Sequence, residues 1–144
     1  MSDEARARVS LEIANGNLNY RSYPTDYNTD VTGQKGPTPG AITITVYGED
    51  VSFSELVSPG LCMLTNQDDT ETVDYGIHDP ESDKFYPLGE IRAGEKYLLR
   101  FSEDLGGEYP GAGTGTGTSG PKTNAFRLRS RTGDCIVLVE AFEV

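Results

Sequence analysis

The chain of 144 residues is long enough for one domain with a buried core, and its formal net charge is −11, from 23 acidic and 12 basic residues. That field repels a phosphate backbone and an anionic membrane, which argues against nucleic-acid and lipid partners. Seventeen glycines, eight prolines, eight tyrosines and no tryptophan point to many short strands joined by turns.

The opening residues, MSDEARARVSLEIANG, hold no apolar signal-peptide core, and no later run reaches membrane-spanning length. An unexported, non-embedded chain is expected. In RVSLEIA the apolar Val9, Leu11 and Ile13 alternate with polar residues, as in a strand with one apolar face. Asn15-Gly16 follows, a strong hairpin signal because a type I′ turn needs two residues tolerant of positive φ. A turn there predicts that Ile13 faces Leu18 and Leu11 faces Tyr20, with all the apolar side chains on one side.

Residues 21–40, RSYPTDYNTDVTGQKGPTPG, hold three prolines and no sustained period. Proline fixes φ and restricts the residue before it, so this stretch reads as an extended Pro/Gly-rich arm that reaches a neighbouring subunit. Strands resume with AITITVYG (Ile42, Ile44, Val46) and VSFSEL (Val51, Phe53). LCMLTN is nearly all apolar, as in a central buried strand. TVDYGIHD alternates Val73, Tyr75 and Ile77. KFYPLGEI is demoted to an edge or short strand by Pro87. KYLLRFS turns Tyr97, Leu99 and Phe101 inward, and AFRLRS and DCIVLVEAF close the chain. GED, SPG, NQDDTE, DPESD and RAGE read as the turns between them. The fold class is therefore all-β, a single antiparallel β-sandwich, jelly-roll or Ig-like, with an N-terminal β-hairpin and extended arm. The expected organisation is hairpin and arm over residues 1–40 and sandwich core over 41–144, with a flexible Gly/Thr loop at 106–121.

No chemistry-bearing motif survives inspection. GTGTSGPKT, residues 115–123, approaches a phosphate-binding loop, but Pro121 separates Gly120 from Lys122 and removes an amide donor. No buried strand precedes it, and NAFRLRS after it alternates like a strand where the motif needs a helix. Asp26, Asn28 and Asp30 have the spacing of the first three calcium ligands of an EF-hand. The sharp-turn glycine is late, however, and Pro37 stands where a bidentate glutamate belongs, so Asx-type turns are expected instead. Whether these three bind an ion is left open by the spacing. His78, the one histidine, sits near Asp79, Glu81 and Asp83 in a segment that reads as a turn. Cys62 and Cys135 lie inside apolar strands and are expected as buried free thiols. Catalytic residues, cofactors and a metal site are accordingly all expected to be absent. Tyr23, Tyr27 and Tyr109 fall in loops, where flat amphipathic rings suit protein or sugar surfaces. With Tyr20, Pro37 and Pro39 of the hairpin and arm, they form the candidate protein interface.

Several segments together, GNLNYRSYPTDYNTDVTGQKGPTPGAITITV, SPGLCMLTNQD, YGIHDPESDKFYPLGEIRAGEKYLLRF and AFRLRSRTGDCIVLVEAFE, resemble small β-sandwich structural proteins encoded by tailed bacteriophages, of the capsid decoration or cement type. The resemblance spans most of the chain and rests on turns and a terminal strand. It implies a non-enzymatic virion protein, made in the host cytoplasm, that binds the major capsid protein on the head exterior and stabilises capsomer contacts. A homo-oligomer, most simply a trimer, would match symmetric capsid sites. The alternative it implies is a tail, baseplate or fibre-associated β module that binds host glycan or other tail proteins.

Overall fold

The computed structural model describes residues 5–30, 35–57, 59–102, 105 and 124–143, and among these it contains strands and turns with no helix. The N-terminal part is a two-stranded ribbon. Strands β2 (Glu12–Asn15) and β3 (Leu18–Arg21) form the expected hairpin, but Asn15 opposes Leu18 and Ile13 opposes Tyr20. The turn is thus Gly16-Asn17, one residue later than Asn15-Gly16. Gly16 has φ +57°, and Asp83 is the one described non-glycine residue with positive φ. A positive φ confined to the first central residue is the type II′ pattern, and it replaces the expected type I′ turn. The shift preserves parity, so Leu11, Ile13, Leu18 and Tyr20 still share a face.

The arm is not a structureless extension. Its residues Thr25–Thr29 form β4, paired antiparallel with β1 (Ala5–Val9) from Val9 opposite Thr25 to Ala5 opposite Thr29. Between the two ladders the Ser22 amide donates to the Leu11 carbonyl (2.8 Å), and the Leu11 amide donates to Ser22 Oγ (2.7 Å). Ser10 and Leu11 therefore oppose Ser22, Tyr23 and Pro24, a bulge that accommodates a proline lacking an N–H. The whole forms one ribbon, roughly 35 Å long at the rise of an extended chain.

The sandwich holds eight strands: β5 (Thr38–Ile44), β6 (Glu49–Asp50), β7 (Pro59–Asn66), β8 (Val73–Asp79), β9 (Lys84–Ile91), β10 (Lys96–Arg100), β11 (Ala125–Ser130) and β12 (Cys135–Glu143). One sheet runs β10-β7-β12-β5 and the other β6-β11-β8-β9, every neighbouring pair antiparallel. Numbered within the sandwich, the orders are 6-3-8-1 and 2-7-4-5, so six of the seven successive connections cross between the sheets and the β8–β9 hairpin stays within one. This is the order of a jelly roll, which resolves the choice between jelly-roll and Ig-like arrangements.

The inward sets interdigitate as the alternation predicts. Ile44, Cys62, Leu64, Cys135, Val137, Val139 and Ala141 of the first sheet meet Val73, Ile91, Phe126 and Leu128 of the second. Each fully buried Leu or Ile contributes about 1.5–3 kcal/mol. Strand β7 is central, as LCML requires, and β9 with Pro87 is an edge. Two local expectations fail. Glu49–Asp50, expected in a turn, is β6, and VSFSEL beyond it is irregular. Val51, Phe53 and Leu56 nevertheless enter the core. Phe53 and Phe126 each pack on Phe101, centroids 5.5 and 5.1 Å apart, closing that end of the sandwich. Tyr97 shares Leu99's face but is 40% exposed, its hydroxyl donating to Glu95 (2.9 Å).

Both cysteines are buried and unpaired. Burial pushes the Cys62 thiol up to about 12 and raises that of Cys135. Neither should react with a thiol reagent within minutes in the native protein, whereas both react promptly in denaturant. Fast native labelling of Cys62 would contradict its placement.

Candidate functional site

Two surfaces stand out, and they differ in chemistry. The first is the ribbon. Its period-two pattern puts Leu11, Ile13, Leu18 and Tyr20 on one face, and these remain 53, 38, 58 and 52% exposed. Val9 continues the stripe. Nothing described covers it, although an apolar face in a two-stranded hairpin normally needs a second layer. Tyr27 lies opposite Ala7 at the same face, while Tyr23 stands in the bulge, 88% exposed. The structure thus gathers Tyr20, Tyr23 and Tyr27 on one ribbon. Pro37 is exposed immediately before β5, and Pro39 lies within β5, opposite Glu140 on an edge strand that tolerates proline. Tyr109 and the Gly/Thr stretch at 106–121 lie outside the described residues. Tyr47, 86% exposed at the turn after β5, was not singled out by its sequence context.

Asp26 and Asn28 lie in a paired strand where turns were expected, and Asp30 follows it. Asp26 and Asn28 sit in β4 on the face opposite Tyr27, and Asp26 is bridged by Arg6 and by Arg8 (3.2 Å). The Arg6 hydrogen bond, assisted by both positive charges, holds the Asp26 carboxyl below its usual range.

The second surface is the outer face of the β6-β11-β8-β9 sheet. Alternation in AFRLRSR places Arg127, Arg129 and Arg131 together, and the antiparallel register sets Arg129 opposite Asp74. Asp74 accepts from Arg129 (3.2 Å) and Arg131 (2.8 Å), and Arg131 also reaches Glu90. Arg129 lies 5.1 Å over the Phe85 ring. His78 is buried, with Nδ1 3.1 Å from Asp50 and Nε2 3.2 Å from Asp83; Asp50 in turn holds Arg127 (2.6 Å). Its partners are therefore not Asp79 or Glu81. Asp79 instead accepts from the Glu81 amide (3.0 Å) in the expected turn, where Asp83 takes φ +52°. The two imidazole nitrogens face different carboxylates and cannot converge on one ion. Among the described residues, no three His, Cys, Asp or Glu side chains are disposed to hold a metal.

Arg127, Arg129 and Arg131 each have a carboxylate partner, so among the described residues these charges form a compensated lattice. Burial disfavours the Asp74 anion, but hydrogen bonds from Arg131 and Arg129 outweigh it, and the carboxyl titrates below its usual range. A depressed folded-state value means stability that is present above the unfolded value and is lost as pH falls through the folded one. Asp74→Asn should thus cost about 1–3 kcal/mol at pH 7 and flatten the acid limb of stability below about pH 4, as read by urea melts at stepped pH. An unchanged acid limb would remove Asp74 as its source.

Comparison of the chain with protein-family models, with curated proteins and with solved structures finds no match.

Proposed function

We propose that this chain is a non-enzymatic structural protein of a tailed-bacteriophage particle, most simply a capsid decoration or cement protein that binds the major capsid protein on the head exterior. The observation that carries the reading is the ribbon. A sandwich with its own complete core extends a roughly 35 Å two-stranded element whose apolar stripe is uncovered. Such an element has no role in a free monomer and a clear one in an assembly, where contact spread over neighbours raises avidity. The jelly-roll order agrees by analogy, since viral capsid and lectin domains both use it. The acidic body suits a partner surface bearing basic groups.

The runner-up is a tail, baseplate or fibre-associated module. Tyr23 and Tyr47, 88 and 86% exposed, favour it because bare aromatic rings stack on sugars as well as on proteins. Imaging of tagged protein added to particles lacking it separates the two. Regular label over the head supports decoration, label on the tail supports the alternative, and absence of label from both contradicts the particle role.

A further inference from the structure

The jelly roll carries a second apolar surface, open at Ile136 and Phe142. In β12, Val137, Val139 and Ala141 point into the core, so the intervening Ile136, Leu138 and Phe142 point out. The register aligns Phe142 with Leu61 and Leu98 with Met63. Ile136 and Phe142 are exposed, Leu138, Leu98 and Met63 are half-buried, and Leu61 is buried beside them. Together they give the outer face of the β10-β7-β12-β5 sheet an apolar majority, interrupted by Glu140, Thr65 and Thr43 and bordered by Lys96 and Arg100 of β10. The opposite sheet shows the ion-pair lattice, so the two outer faces of the sandwich are chemically unlike.

We infer that this face receives the ribbon of a second copy of the chain. The inference rests on the reading of the ribbon as an assembly element and names its receiver. Three observations favour this occupant. First, charge: residues 5–30 carry three arginines (Arg6, Arg8, Arg21) and three acids (Glu12, Asp26, Asp30), net zero, whereas residues from 31 onward carry 9 basic and 18 acidic, net −9. A second copy's body is repelled by this one, and its ribbon is the part that approaches without that penalty. Second, area: the exposed side chains of the ribbon stripe offer on the order of 500 Å². Seated on a sheet of like size they bury about 1,000 Å², the threshold of a specific interface. Third, placement: Gly36 abuts the rim of this face, a Cβ there falling 2.6 Å from the Ala141 carbonyl oxygen and 2.8 Å from Phe142 Cδ1. The residues just before β5 therefore lie beside the receiving surface, and the exposure of Ile13 and Tyr20 shows that their stripe is not seated on it. One donor–acceptor contact accounts for both apolar surfaces. Face-to-face pairing of two sheets would leave the ribbon bare. Such a contact closes either reciprocally in a dimer or head to tail in a ring.

Sedimentation of the full chain, wild type and two variants, tests this. Ile13→Lys spoils the donor and Ile136→Lys the acceptor; both sites are exposed, 38 and 47%, and lysine moves the net charge toward zero, so lost association cannot stem from added repulsion. Melting temperatures near that of wild type establish that both fold. The expected result is an associated wild type at about 100 μM, two monomeric variants, and a 1:1 complex when the variants are mixed, because each supplies the half the other lacks. A monomeric wild type overturns the inference, as does either variant that still associates or a mixture that stays monomeric. A monomeric wild type that nonetheless coats heads removes this contact and leaves the particle role standing.

Discussion

Gly76→Ala is expected to destabilise the protein by about 3 kcal/mol or more and to unpair β9. An added Cβ would lie 2.0 Å from the Tyr86 carbonyl oxygen and 2.8 Å from Pro87 Cα. These are backbone atoms of the facing strand, so no rotamer change relieves the clash. The closeness arises from the bulge between Tyr75 and Gly76, where Leu88 is the extra residue and Pro87 comes to oppose Gly76. Gly89→Ala meets the Tyr75 hydroxyl oxygen at 2.4 Å, a side-chain atom, and should cost less. Chemical denaturation of the two variants checks the order. Equal losses would mean that the bulge is not as tight as described.

Asn66→Ala should cost about 3–4 kcal/mol, a size reached because several buried groups lose partners together. Asn66 is 1% exposed. Its Nδ2 donates to the Glu71 carbonyl (2.8 Å) and the Ile91 carbonyl (3.1 Å), and its Oδ1 accepts from the Asp68 amide (3.1 Å). One side chain thus ties the end of β7 to the following turn and to the end of β9 in the other sheet. Leucine in its place fills the volume and leaves the same three backbone groups unsatisfied, so Asn66→Leu should be nearly as damaging. Recovery of stability in the leucine variant would show that packing, and not hydrogen bonding, is what Asn66 supplies.

Much of the sandwich is legible from local pattern. LCML apolar on both sides indicates a strand covered on at least its inner face and central in its sheet, and Pro87 marks an edge because an interior strand needs every amide. Failures concentrate where two local solutions are equivalent or where partners are distant. Asn15-Gly16-Asn17 offers two overlapping two-residue turns, and the chain uses the one with glycine first. VSFSEL alternates like a strand, yet Val51 and Phe53 reach the core from an irregular segment lying over an open end of the sandwich. The pairing of TDYNT with ARARV joins residues some twenty positions apart across a bulge, and no local period announces it. His78's partner Asp50 is 28 positions away in sequence. The apolar outer face had a signal, however: CIVLV and LCML lack the polar alternation of a half-solvated sheet. Tyr23 and Tyr27 read as loop aromatics in the sequence, but Tyr27 lies in β4, and its gathering with Tyr20 on one ribbon depends on the β1–β4 pairing.

The most direct test of the cement reading is the temperature at which DNA escapes from heads lacking the protein, before and after purified chain is added back. The account predicts that added protein raises this temperature by several degrees and that Ile13→Lys raises it less, since the link between copies is lost. Heads whose release temperature is unmoved by saturating wild-type protein would contradict it.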